Sequence, residues 1–137
     1  MDGSLDTNVL VRFICQDVPG HYERALALLA TPDARYEVAD AVWIELAYAL
    51  RHHYGMDRSQ ITDVITSLVD WDSVVADSAT IAGACQVFAT HPKLSFVDCY
   101  LAAHAASTSA VPLFTFDEKL ASQHLAVELV PSTTSTS

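Results

Sequence analysis

Basic residues are scarce in this chain: seven Lys and Arg face seventeen Asp and Glu across 137 residues, a formal net charge of −10. Non-specific capture of nucleic acid needs a basic footprint that this composition lacks, so a basic partner or bound cations suit the surface better. Glycine is rare as well. Four residues with no glycine-rich run exclude a phosphate-cradling loop. The three cysteines, Cys15, Cys85 and Cys99, are odd in number and widely spaced with no C-x-x-C pair, so neither a disulfide framework nor a zinc knuckle is indicated. Buried thiols in a reducing compartment are expected. No apolar run approaches the ~18 residues of a membrane span. Glu45 interrupts AVWIELAYAL, and MDGSLD lacks the basic start of a secretory signal. A soluble, cytoplasmic protein is the expectation.

What is abundant is apolar residues, 51% of the chain, enough for one globular domain, placed at residues 1–130. Residues 131–137, PSTTSTS, have no apolar residue after the proline and read as a disordered tail. Between them, strand-like pieces alternate with helical ones. SLD leads into a helix from about Asn8, and DVPGHYERALALLA follows with Pro19 suited to a helix's first turn. RYEVA is a strand, a helix runs from Asp40 to a stop at Gly55, and Asp57 caps the helix of SQITDVITSLVDW. The second half repeats the rhythm: strand SVV, a helix capped by Asp77 and ended before Pro92, the helix SFVDCYLAAHAA, strand PLFTF, the short helix DEKLASQ and strand AVELV. This alternation predicts an α/β fold, a mostly parallel central sheet with helices on both faces. Asp2, Gly3 and Ser4 are poor strand formers, so a short first strand is expected.

Four carboxylates stand in apolar settings: Asp6 after the first strand, Glu45 inside VWIELAYAL, Asp98 in FVDCYLAAHA and Asp117 just after LFTF. Residues just past the carboxyl ends of parallel strands gather at one sheet edge, and Asp6 and Asp117 occupy such positions. Glu45 and Asp98, early in their helices, are able to face that same edge. Each has a plainer structural explanation. Asp117 before EKLA is a good N-cap, Asp98 follows Ser95 in a capping-box arrangement, and Asp6 in D-T-N suits a turn. Glu45 is harder to explain that way, because no Lys or Arg lies three or four residues from it. His52, His53 and His104 sit late in their helices, where a partly cationic ring complements the helix dipole, and no Ser/His/Asp or Cys/His arrangement supports covalent catalysis.

The order and context of the four acids resemble the PIN-domain ribonucleases, particularly the VapC-type toxins of prokaryotic toxin–antitoxin pairs. LDTNVLVRF is similar to that family's opening motif, WIELAYALR to the segment carrying the second acid, LSFVDCYLAAHA to the third and LFTFDEKLA to the last. The resemblance implies a three-layer PIN-like fold in which Asp6, Glu45, Asp98 and Asp117 are the catalytic, metal-binding carboxylates for Mg²⁺ or Mn²⁺. It also places Asn8 and Thr115 as supporting polar residues and implies a homodimer silenced by a cognate antitoxin. The departure is MDGS, where the family usually has a more apolar strand.

The implied chemistry needs these residue types. Cleaving a phosphodiester requires phosphate charge to be neutralised, water activated and the leaving oxygen stabilised, which one or two divalent cations accomplish together, and hard cations want oxygen ligands. Two carboxylates about 4 Å apart repel by about 4 kcal/mol at an effective dielectric of about 20, a cost that function explains. The cations would also let an acidic protein hold an RNA backbone. Arg12 is a candidate phosphate contact, and Lys119 a lesser one read chiefly as a solvated helix charge. Two other classes compete. A haloacid-dehalogenase-like phosphatase would want a second acid at position 8, where Asn8 stands, and a non-catalytic PIN-like binding module would be favoured by the loss of one of the four acids. A solitary PIN ribonuclease without an antitoxin remains within the first class.

Overall fold

The computed structural model describes residues 1–133, in which seven helices alternate with five short strands. Of the Ser/Thr-rich segment expected to be a disordered tail, residues 134–137 lie outside the described ones, and 131–133 carry neither helix nor strand. The chain runs β1 (Gly3–Ser4), α1 (Thr7–Cys15), α2 (His21–Leu29), β2 (Tyr36–Glu37), α3 (Asp40–His52), α4 (Arg58–Val69) and β3 (Val74–Val75). It continues through α5 (Ser78–Thr90), α6 (Phe96–Ser107), β4 (Leu113–Thr115), α7 (Glu118–Gln123) and β5 (Val127–Leu129).

Helix starts follow local capping chemistry. An N-terminal turn leaves backbone N–H groups without intrahelical partners, and a short oxygen-bearing side chain satisfies one of them. Asp57 and Gln60 form a reciprocal capping box on α4, while Asp77 accepts from Thr80 N–H on α5 and Ser95 from Asp98 N–H on α6. Helix α3 ends at His52, and Gly55, at φ +65°, takes the left-handed turn that side-chain-bearing residues resist. Pro19 falls outside its helix: α2 begins at His21 with Gly20 as N-cap at φ +81°, so the proline belongs to the preceding turn.

Every strand pair is parallel, as the alternation predicts, but the sheet is divided. One sheet has the order β1–β2–β3 and the other holds only β4 and β5. The first strand is the weak member. Gly3 and Ser4 offer no β-branched or aromatic side chain, and β1 relies on its pairing with β2, extended by Leu5 N–H to the Glu37 carbonyl at 2.9 Å. The core lies mainly between helices and beneath the three-stranded sheet. Trp43, Leu46, Leu50, Ile61, Ile65, Ile81 and Leu94 are fully buried, each contributing about 1.5–3 kcal/mol of transfer free energy. Cys85 and Cys99 are part of it, and burial pushes their thiols up to about 11 and about 12.

Two polar contacts fix the helices that carry candidate site residues. The Tyr100 hydroxyl on α6 donates to Asp40 Oδ2 at the start of α3, at 2.5 Å. Arg58 donates to the carbonyls of Phe88 (3.0 Å), His91 (3.2 Å) and Leu94 (2.5 Å), closing the end of α5 and the turn that leads into α6.

Candidate functional site

Asp6 lies two residues past β1 and caps α1, its Oδ1 accepting from Thr7 N–H at 2.8 Å. Thr7 is buried, and its hydroxyl donates to Glu45 Oε2 at 2.9 Å, across 38 residues of sequence. The partner that Glu45 lacks along its own helix therefore comes from α1. Asp6 and Glu45, joined through Thr7, open together on a cleft of about 620 Å³ whose walls include Asn8, Arg12, Tyr48 and Val97.

The other two acids stand apart from this pair. Asp98 is half-buried in the first turn of α6, where its N–H donates to Ser95 Oγ at 3.3 Å. Its neighbour Val97 lines the cleft and Asp98 itself does not. Asp117 caps α7, accepting from Leu120 N–H at 3.1 Å, and its own N–H donates to Thr115 Oγ1 at 3.0 Å. Asp117 follows β4 as Asp6 follows β1, but the two strands belong to different sheets, so no strand pairing draws the two carboxylates together. Of the plainer roles read from the sequence, the N-cap at Asp117 is present; Asp6 proves to be the N-cap of α1, and at α6 Ser95 caps the Asp98 N–H without the reciprocal side-chain bond that would complete a capping box.

Arg12 is already paired. Its Nη1 donates to both Asp17 oxygens at 3.1 Å and to Tyr54 Oη at 3.4 Å, and Tyr54 donates to Asp17 Oδ2 at 2.7 Å. Tyr54 first, and then Arg12, hold the Asp17 carboxyl below its usual range. A charge spent on Asp17 is a weaker phosphate contact than the sequence alone implies. Asn8 is exposed on the cleft wall, and Thr115 serves Asp117.

Fit to a divalent cation divides in the same way. Among the described residues no three of His, Cys, Asp and Glu stand close enough together to hold a metal ion. The Asp6–Glu45 pair nonetheless supplies hard oxygen donors on an open cleft. Mg²⁺ is commonly held through one or two carboxylates while water and substrate phosphate complete its shell. The pair fits such an ion in donor chemistry and access, although the four acids are not gathered as one set.

Two residues that sequence reasoning passes over belong to this site. Thr7 bridges its two carboxylates, and its only signal is its place immediately after Asp6. Tyr48, 60% exposed at the cleft, sits one turn after Ile44 on α3, where an exposed aromatic among buried neighbours is the signal.

The sequence profile of the PIN domain family matches residues 4–124, and the chain belongs to that family. No curated protein matches it. PIN domains are generally ribonuclease modules and are typically metal-dependent.

Proposed function

We propose that the protein is a metal-dependent endoribonuclease that hydrolyses RNA phosphodiester bonds and acts as the VapC-type toxin of a toxin–antitoxin pair. The observation that carries the catalytic part is the Asp6–Thr7–Glu45 linkage: two carboxylates, well separated in sequence and held on one open cleft within the matched family region. When bound, Mg²⁺ or Mn²⁺ supplies charge neutralisation and a more acidic water. The chain's residues do the rest. Thr7 orients Glu45, leaving its second oxygen and the Asp6 carboxylate facing solvent and substrate, and either carboxylate is able to take a proton from an attacking water. A cytoplasmic setting, a homodimer and a cognate antitoxin complete this reading. An antitoxin segment rich in Lys and Arg would complement the −10 charge, and its association would slow with salt, because steering is screened over ~8 Å at physiological ionic strength.

One observation favours a second reading, a non-catalytic PIN-like RNA-binding module: Asp117 is engaged as an N-cap, and among the described residues neither it nor Asp98 forms a metal-holding group with the pair. RNA cleavage by the purified protein decides between them. Wild type should cut RNA with Mg²⁺ or Mn²⁺ and stop in EDTA, and Asp6→Asn or Glu45→Gln should each lower the rate at least about 100-fold, the scale of removing a proton-transfer group. Activity that persists in EDTA would refute the mechanism, and RNA binding without cutting would select the binding module. Inhibition of the wild type by the product of an adjacent reading frame, whose binding is weakened by Glu45→Gln, tests the toxin assignment.

A further inference from the structure

Four of the chain's seven Lys and Arg residues, Arg51, Arg58, Lys93 and Lys119, line a single cleft of about 370 Å³. His52 is on its wall, and no Asp or Glu is. In a protein of net charge −10 this local reversal of sign stands out. Its residues come from separate places, the end of α3, the start of α4, the turn between α5 and α6, and α7, so no single helix face produces it. Arg58 is committed to backbone carbonyls and lies 4.2 Å from the Phe88 ring centre, which makes it the anchor of the cleft floor. Arg51, Lys93 and Lys119 are exposed, and among the described residues none has a carboxylate partner. Burial, and then the nearby Arg51 charge, lower the Arg58 pKa, as expected of cations held together without a counter-ion.

This cleft adjoins the acidic one. Ile44, Tyr48 and Val97 line both. Tyr48 is 60% exposed, and its ring packs near His52 with 4.3 Å between centres, so a flat aromatic surface lies at the junction of an acidic and a basic cleft. We propose that the basic cleft takes backbone phosphates of single-stranded RNA flanking the bond at the Asp6–Glu45 cleft, with one base stacked on Tyr48. The inference rests on the nuclease reading for its choice of substrate. Unpaired Lys and Arg bind phosphate, and an exposed ring between two clefts is useful only to a base free of its own stack, which favours single strands over duplex.

Fluorescence anisotropy of the full chain with a labelled oligouridine about a dozen nucleotides long, in EDTA so that nothing is cut, tests this. Lys93→Ala and Lys119→Ala should each weaken binding several-fold at low salt. Together they should flatten the slope of log affinity against log salt by about 1.4, ~0.7 for each phosphate no longer neutralised. Tyr48→Ala should weaken binding and leave the slope unchanged, while Arg24→Ala and Arg35→Ala, outside the cleft, should change neither. Equal losses from all four basic substitutions would overturn the proposal. So would lysine-dependent binding of poly-glutamate in place of oligouridine, which would assign the cleft to an acidic polypeptide. The two readings fail separately. Lysine-dependent binding by a wild type that never cuts keeps the cleft and removes the nuclease, whereas metal-dependent cutting with a KM indifferent to both lysines removes the cleft and keeps the nuclease.

Discussion

The three-stranded and two-stranded sheets carry equivalent acids on unequal foundations. Asp6 follows β1, beside Leu5, Leu10 and Val11, all buried, and behind it stands a core centred on Trp43 and Leu46. Asp117 follows β4, where Phe114 is 54% and Phe116 84% exposed, and only Leu120 and Val127 of this C-terminal segment are buried in the main core. Apolar burial is the principal source of stability, so the segment from β4 to β5 should open at lower free-energy cost than the body that holds Asp6 and Glu45. The half of the candidate site that is assembled lies on the well-packed part.

Large-to-small substitutions in the two regions should expose this difference most strongly. Leu46→Ala empties a fully buried position one residue from Glu45 and should cost about 2–5 kcal/mol of global stability in urea unfolding. Leu120→Ala, at a comparably buried position on α7, should instead abolish amide-exchange protection in β4 and β5 while shifting the global midpoint much less. If Leu120→Ala lowered global stability as far as Leu46→Ala, the two regions would be one cooperative unit and the contrast would be gone.

How far the sequence discloses this arrangement depends on the range of the interaction concerned. Alternation and capping residues are local, and they mark the helix starts at Asp57, Asp77, Ser95 and Asp117 and the parallel strand pairing. The four acids are visible as charges in apolar stretches, but the contact that joins two of them is a hydrogen bond from Thr7 to Glu45 across the fold, and no spacing encodes it. The division of the sheet is not legible in any one segment, because pairing is a property of two strands; the weakness of MDGS shows only that β1 is short. The basic cleft escapes for the same reason, since Arg51, Lys93 and Lys119 are ordinary surface charges until the chain brings them to one place.

An intermediate effect is expected where α6 is tied to α3. Tyr100→Phe removes a hydroxyl that donates to Asp40 and should cost about 1 kcal/mol at neutral pH, the net worth of a typical hydrogen bond. Burial, and then the Asp40 hydrogen bond, push the Tyr100 phenol up to about 12, above its ordinary value near 10. The folded state therefore favours the protonated phenol. Its contribution is fully present below about pH 10 and is lost as pH rises towards 12. Denaturation midpoints for wild type and Tyr100→Phe should converge over that interval, and midpoints that stay parallel would show that the hydroxyl does not link the helices bearing Glu45 and Asp98.

The smallest expected effect concerns the joint between the C-terminal segment and the body. His124 follows α7, its Nδ1 accepts from Ala126 N–H at 3.1 Å, and its ring centre lies 6.3 Å from that of His91 at the end of α5. Burial, and then the His91 charge, lower its pKa. A histidine with a depressed folded pKa is favoured neutral, so its contribution is complete above the unfolded value near 6.5 and declines as pH falls below it. Protonation at Nδ1 also removes the acceptor that Ala126 uses. Between pH 7 and pH 5 the wild type should lose stability, and His124→Gln, which cannot take up the proton, should lose less. Because the proton acts where the thinly packed segment meets α5, limited proteolysis at pH 5 should cut beyond Ala110 well before it cuts in α1 or α3. Cleavage that began in the body, or a pH response identical in His124→Gln, would place the acid-sensitive contact elsewhere and leave the unequal packing of the two sheets to rest on the leucine pair alone.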